Sequence, residues 1–564
     1  MVILFKTNLM KKIIVTFSIL FTSLMGAQDF GTLSGGFETT IQNYRDDETI
    51  GAYAPEDSWA SNSYFKLDYR NKKVGAGLQY EAYLPALQGY PNTFEGNKIA
   101  NFYVSYQDDN FGITAGHIYE QFGNGLIFRT WEDRQIGINN AIKGVSAWFN
   151  PTDELTLKAI YGNQRLNLTE TGNGIIRGLD ADFDFLNALN MESDFSVRLG
   201  ASLLSKYESG YTGPADNFPS EVSSLSRRIN LGYKGFYINS EYVTKGEDVL
   251  SNGINPLYDY YDNYYEGSVL LVETGYSKKG LGFNATFRRL ENMDSRSDRE
   301  YITGTNNELI LNYLPALTQQ QDYSLGNIYV YTAQTSYENF HTSVGEIGGQ
   351  VDLFYKFKKG SMLGGKYGTR FSVNYAQWNG LKAEIDTSLP EGPEINTEFL
   401  QFGDKYYSEL NIKIQKRWNK KFKSNLLFIN SYYNDEVFGT ASHEVIKSNI
   451  AVGDFTYKLT GKNALRLELQ HLWTKQDKKN WMAGTIEYTM APKWGVFAAD
   501  MYNYGNDDSD KQFHYYNFGA NYTKNATRFA VTYGRQRGGL LCVGGVCRNV
   551  PTASGLTITL NTSF

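Results

Sequence analysis

The pattern that most limits what this chain can become is an alternation of apolar and polar residues with a period of two, recurring in short runs along its length. The last run, "TASGLTITLNTSF", puts Leu556, Ile558, Leu560, Thr562 and Phe564 on one face and Thr557, Thr559, Asn561 and Ser563 on the other, because side chains of an extended strand point alternately to opposite sides. "VGAGLQYEAYL" sets Val74, Ala76, Leu78, Tyr80, Ala82 and Leu84 against Gln79 and Glu81. "IGGQVDLFYKF" sets Ile347, Gly349, Val351, Leu353, Tyr355 and Phe357 against Gln350, Asp352 and Lys356, and "KYYSELNIKIQKR" sets Tyr406, Leu410, Ile412 and Ile414 against Glu409, Asn411, Lys413 and Gln415. The 43 Tyr, 55 Gly and only 12 Pro among 564 residues agree with strands joined by tight turns. An all-β chain is expected.

The N-terminus reads as an export signal. Lys11 and Lys12 form a positive region, Ile13 to Leu24 an apolar one, and Gly26-Ala27 a small-residue site for cleavage before Gln28, with Met10 the expected start. Beyond it no run approaches the roughly 18 apolar residues of a membrane helix. An exported chain that enters a membrane without helices must do so as a closed barrel, the other structure that satisfies every backbone group in lipid. No linker or low-complexity tract divides residues 28–564, so one large domain is expected. The net charge of -6 argues against non-specific binding of nucleic acid, which needs clustered cations.

Connector lengths separate a barrel from a soluble sandwich. Short connectors stand at 71–73, 107–110, 150–154, 234–235, 278–280, 358–365, 418–420, 460–462, 491–493 and 523–526. Longer ones stand at about 43–60, 85–98, 119–142, 207–224, 247–265, 292–344, 378–404, 434–445 and 537–552. The two kinds largely alternate, as in outer-membrane barrels with short periplasmic turns, long outer loops and an even strand number. About 24 strands are expected, with both termini inside. Leu556 to Phe564 then face lipid, and Leu560 and the terminal Phe564 read as a signal to the barrel-assembly machinery.

Cys542 and Cys547 are the only cysteines, and Gly544-Gly545 between them suits a two-residue hairpin turn because glycine accepts positive φ. The thiols would face each other, and outside the cytoplasm a disulfide is expected. A metal site is disfavoured, since two Cys without nearby His or acidic residues leave a tetrahedral shell incomplete. No cofactor is expected.

The "CVGGVCR" hairpin followed by "TITLNTSF", the stretch "GHIYEQFGNGLIFRTWEDRQIGINNAIKG" and "FYKFKKGSMLGGKYGT" together resemble a family of large uncharacterised outer-membrane proteins of Bacteroidota, known only as a domain of unknown function. The resemblance spans the mature chain and implies an outer-membrane location, with no catalytic or binding residues to carry over.

The long connector 119–142 is the leading functional candidate. It holds Arg129, Glu132, Asp133 and Arg134 beside Gly123, Gly125 and Gly137 in a stretch rich in Phe and Ile. Such a loop is poorly suited to open water; folded into the barrel, its opposed charges would form a constriction that selects polar solutes. The alternative is that the same charges merely latch the loop to the wall. Asn306 to Tyr331 is also too apolar for a free loop, and would plug the pore or form a docking surface. Tyr258, Tyr260, Tyr261, Tyr264 and Tyr265 suit a glycan or protein partner, or an aromatic girdle. His117, His341, His443, His471 and His514 are dispersed and no hydrolase motif accompanies them, which disfavours an enzyme, including a membrane-embedded hydrolase. Two functions stand: a loop-constricted or plugged pore for polar solutes, and a non-conducting scaffold in an assembly or secretion complex.

Overall fold

The structure, a computed structural model, describes residues 31–90, 94–209, 219–249, 264–298, 309–337, 343–389, 393–438 and 444–564. The export signal, Tyr258, Tyr260, Tyr261, His341 and His443 lie outside these. Twenty-four antiparallel strands form one sheet, each paired with its neighbours in sequence. The last strand, Ala553–Ser563, pairs on one side with Thr527–Gln536 and on the other with the first strand, Thr32–Tyr44, in the register Ile41↔Ile558 and Thr39↔Leu560. The sheet therefore closes and has no edge, which is what a bilayer demands of a β-protein. Gly35 and Phe564 exchange backbone hydrogen bonds of 3.0 Å at the seam. The Phe564 ring stacks on Phe65 at 6.5 Å, across a space that a Cβ on Gly35 would fill.

The outward face is apolar and accessible. Ile99, Phe102, Val104, Ile113, Leu179, Ile238, Leu469 and Ile486 are among its exposed side chains. Aromatic residues such as Trp418 and Trp494 gather near the short turns, where Phe195 stacks on Tyr233 at 4.2 Å and Phe236 on Tyr276 at 4.1 Å. So large a band of exposed apolar surface is unstable in water and stable in lipid. The fold is an outer-membrane-type barrel; no helix of the described residues is long and apolar enough to cross a membrane.

The connectors alternate as expected, with additions. A further inner turn lies at 185–194, carrying the short helix Phe185–Ala188, and shorter outer loops lie at 166–170, 474–480 and 503–516. One expected loop is corrected: 378–404 is mostly strand. Thr369–Asp386 and Glu394–Arg417 stay paired out to Asp386↔Glu394, with register shifts between Trp378 and Ala383. Gly380 breaks the apolar alternation there because a Cβ would meet the Tyr406 hydroxyl, so the pairing continues where the pattern lapses.

Candidate functional site: the loops within the lumen

Inward-facing wall residues are not uniformly polar. Toward the outer end, Ile160, Ile176, Leu204, Val243, Leu271 and Leu290 point inward on one side, and Trp378, Leu427, Ile429, Ile450, Val452 and Leu472 on the other. Water alone would not stabilise these two patches. Two outer segments cover them.

The first segment, 119–141, folds as two small hairpins, Gln121–Phe122 with Phe128–Arg129 and Glu132–Asp133 with Ile138–Asn139. Gly123, Gly125 and Gly137 supply positive φ at its turns. Phe122, Leu126, Ile127 and Phe128 are buried against the first wall patch, and full burial of such side chains is worth about 1.5–3 kcal/mol each. Wall groups hold the backbone: the Asn124 amide donates to Glu241 Oε2 at 2.8 Å, and Lys158 pairs with Glu120 at 2.8 Å.

The four charged residues singled out from sequence do not form one facing set. Arg134 pairs with Glu132 at 3.0 Å and with Glu38 of the first strand at 2.8 Å, donates to Gln79 Oε1 at 3.1 Å, and lies over the Tyr64 ring. Burial opposes its charge, but the Glu132 and Glu38 carboxylates raise its pKa above the usual arginine range. Glu132 also accepts from Gln79 at 2.8 Å. Asp133 caps a turn by accepting from the Gln135 amide at 2.9 Å. Arg129 stands apart, with its guanidinium carbon 3.9 Å from the Tyr313 ring centre and its amide donating to the Leu311 carbonyl at 2.9 Å.

The second segment, 309–337, bridges the two wall patches. Leu311 and Leu314 join the first, and Ala316, Tyr323, Leu325, Tyr329 and Tyr331 join the second. Apart from a short 3-10 turn at Ser324–Asn327 it has no regular structure, yet a buried backbone must find partners for its amides and carbonyls. Wall side chains supply them. Arg288 donates to the Pro315 carbonyl at 2.8 Å, Trp378 Nε1 to Leu317 at 3.1 Å, and Gln164 to Ile310 at 2.7 Å. Gln470 accepts from the Leu325 amide at 3.1 Å and Glu346 from the Gln334 amide at 3.0 Å. Arg288 and Glu346, both fully buried, also pair with each other, and the Tyr331 hydroxyl donates to Glu346. Burial, and then the Glu346 charge, push the Tyr331 phenol well above its ordinary pKa and keep it a donor.

A third segment rests on both. Gly539–Val543 and Val546–Val550 form a hairpin with Cys542 opposite Cys547 and the two sulfurs bonded at 2.00 Å. Gly544 and Gly545 have φ of 58° and 85°, as a primed turn requires. The Gly544 carbonyl accepts from the Tyr313 hydroxyl and the Gly545 carbonyl from the Ala316 amide, both at 2.9 Å. Val546 packs with Ile136 and Ile138, and Arg548 donates to the Gln135 and Gly89 carbonyls at 3.1 and 2.9 Å. A polar cavity of about 230 Å³ remains between this hairpin and the first strand, lined among others by Glu38, Gln42, Gln88, Arg134 and Arg548.

Sequence reasoning flagged both lumenal segments as too apolar for water but missed the wall residues that receive them. Their signal was present: apolar residues on both faces at the outer ends of strands, as at Val269 and Leu271 beside Leu270 and Val272. Of the histidines, His117 is buried against Phe102, His471 bonds the Tyr504 hydroxyl at 2.7 Å, and His514 pairs with Asp500 at 2.7 Å, three separate places. Of the tyrosine run, Tyr265 donates to the Pro393 carbonyl at 2.6 Å and meets the Tyr337 ring at 5.1 Å.

Among solved structures the chain is similar to the siderophore receptor PirA from Pseudomonas aeruginosa, at 10% identity and a TM-score of 0.42, covering 95% of this chain and 81% of that one. It is similar to the P pilus usher (PapC) translocation pore at 9% and 0.41, covering 94% and 99%. With OccK5 (OpdH) of Pseudomonas aeruginosa the values are 11% and 0.33, covering 79% and 98%. No curated protein matches the chain. A family model does, over residues 10–564, and the chain belongs to that family, a family of unknown function, DUF6029.

Proposed function

We propose that this protein is an outer-membrane pore for polar solutes that its own outer loops hold closed at rest. The observation that carries the reading is the buried, irregular segment 309–337, whose backbone is held at Ile310, Pro315, Leu317, Leu325 and Gln334 by inward wall side chains. A loop that fell into the lumen by chance would leave those groups unpaired at a cost of about 1–3 kcal/mol each. Beneath the plug the inward face turns polar, with Asn230, Asn239, Asp352, Asn374 and Arg466 lining a vestibule toward the short turns. In this reading Glu132 and Arg134 latch the plug to Glu38 and Gln79, Arg129 joins segment 119–141 to 309–337, and Asp133 shapes the turn of the second small hairpin.

Export by a cleaved signal within residues 1–27, and reading of Leu560 and Phe564 by the assembly machinery, complete the proposal. The protein acts without catalysis, and its partners are outer-membrane lipid and, at the outer loops, a protein or glycan. A second reading, a non-conducting scaffold, draws on the extended hairpin around 378–404, where Phe399, Leu400 and Phe402 stand exposed. Single-channel conductance in planar bilayers separates the two. The gated pore is expected to stay closed as wild type and to open to steady, ion-selective conductance when residues 309–337 are deleted together with Gly123 to Asn140. A deletion variant that inserts and remains closed would favour the scaffold.

A further inference from the structure

The eleven inner turns divide into two arcs of unlike charge. In the first arc, the turns at 72–73, 108–110, 153–154, 185–194 and 234–235 carry both signs between them, with acids outnumbering lysines, and some of the lysines are paired. Lys73 pairs with Asp108, and Lys234 with Asp194 at 2.8 Å. In the second arc, six consecutive turns from 279–280 to 525–526 each contain or adjoin lysine, among them Lys279, Lys359, Lys366, Lys421, Lys462 and Lys493. Neither these turns nor the two residues on either side of each include Asp or Glu. Among the described residues no carboxylate pairs with the six lysines named. This concentration of cations belongs to a chain whose net charge is -6.

The second turn of the basic arc, 358–368, is its longest. Backbone bonds from the Gly360 amide to the Gly365 carbonyl and from the Gly365 amide to the Ser361 carbonyl, both 2.8 Å, give it a fixed shape. Its tip presents Met362 and Leu363, 97% and 58% exposed, between Lys358 and Lys359 on one side and Lys366 on the other. Two apolar side chains held in a fixed turn and flanked by cations without paired carboxylates suit an acidic surface that carries an apolar pocket.

We infer that the basic arc and the Met362–Leu363 tip form a docking surface for a soluble, acidic periplasmic protein with an apolar pocket. The alternative anion, phospholipid headgroups of the inner leaflet, surrounds the barrel on every side and would call for cations around the whole rim. Confinement to half of it favours a discrete partner. The inference is independent of whether the lumen conducts and rests on the short turns facing the periplasm.

The test places a photo-reactive benzoylphenylalanine at Met362, or at Asp153 of the mixed arc as control, in the full chain in cells. The expected result is a protein adduct at 362 and not at 153, abolished by Lys358→Glu, Lys359→Glu and Lys366→Glu combined. The adducted protein, identified and purified, is expected to associate about tenfold or more slowly with that variant, and more slowly as salt rises. These turns lie outside the wall, so heat-modifiable gel mobility should be unchanged and confirms a folded barrel. An adduct to phospholipid only, an adduct to a second copy of this chain, no adduct, or a protein adduct indifferent to charge reversal would each overturn the inference. So would labelling of Met362→Cys by an impermeant maleimide on intact cells, which would place the arc on the outer face.

Discussion

In the wall, backbone amides and carbonyls are satisfied by the neighbouring strands, whereas in residues 309–337 they are satisfied piecemeal, some by the backbone of other loops and others by side chains reaching in from the wall. The difference decides what each region can tolerate. A closed sheet needs only that apolar residues face lipid in the right register, and many sequences meet that demand. The plug depends on individual groups: one guanidinium, one carboxylate, one indole. Substitution should therefore separate the two regions, displacing the plug without unfolding the wall.

The largest effect is expected from Arg288→Ala. It leaves the buried Glu346 charge unpaired and removes the donor to Pro315, costing about 3–5 kcal/mol of plug docking. Limited proteolysis should then nick residues 309–337 while the barrel keeps its heat-modifiable mobility; protection equal to wild type would erase the distinction between wall and plug. The converse probe is Ile558→Arg in the middle of the last strand, facing lipid, at a cost of about 2–4 kcal/mol. It should lower folding yield into vesicles while barrels that do form retain a protected plug. Reduction of Cys542–Cys547 opens a ring of six residues and is worth up to about 2 kcal/mol. Faster hydrogen exchange is expected at residues 539–550, and far less change at 309–337. Arg134→Gln is the mildest, roughly 1 kcal/mol, because its ion pairs are partly solvated. It should loosen residues 132–139 in the same exchange experiment; loosening as large as that of Arg288→Ala would make Arg134 the main anchor and overturn the ranking.

The same contrast explains what could be read from the sequence. Period-two alternation depends on nothing but the strand, so the barrel, its approximate strand number and the last strand ending at Phe564 were legible. Loops 166–170 and 474–480 were not, because they are short and join strands without a change of composition. The strand through 378–404 escaped notice because Gly380 interrupts its pattern. For the plug, composition marked 119–142 and 306–331 as segments needing cover, since Phe122, Ile127 and Leu311 are apolar wherever they lie. Their partners are tertiary: that Gln164 and Gln470 meet the same segment is set by barrel curvature and by two loops crossing the lumen, and no local pattern records it. The charges at 129–134 showed the converse limit. Their types were visible, but which of them paired, and with what, depended on strands far away in sequence.

The most direct test of a lumen closed at rest is labelling of a cysteine placed below the plug. Asn239 faces inward near the inner end of its strand, opposite Asn230. Asn239→Cys would be exposed to a membrane-impermeant maleimide added outside intact cells, with and without residues 309–337. No labelling is expected in the full chain, and ready labelling once the segment is removed. Equal labelling in both would mean that the path through the barrel is open past the plug, and would contradict a lumen closed at rest.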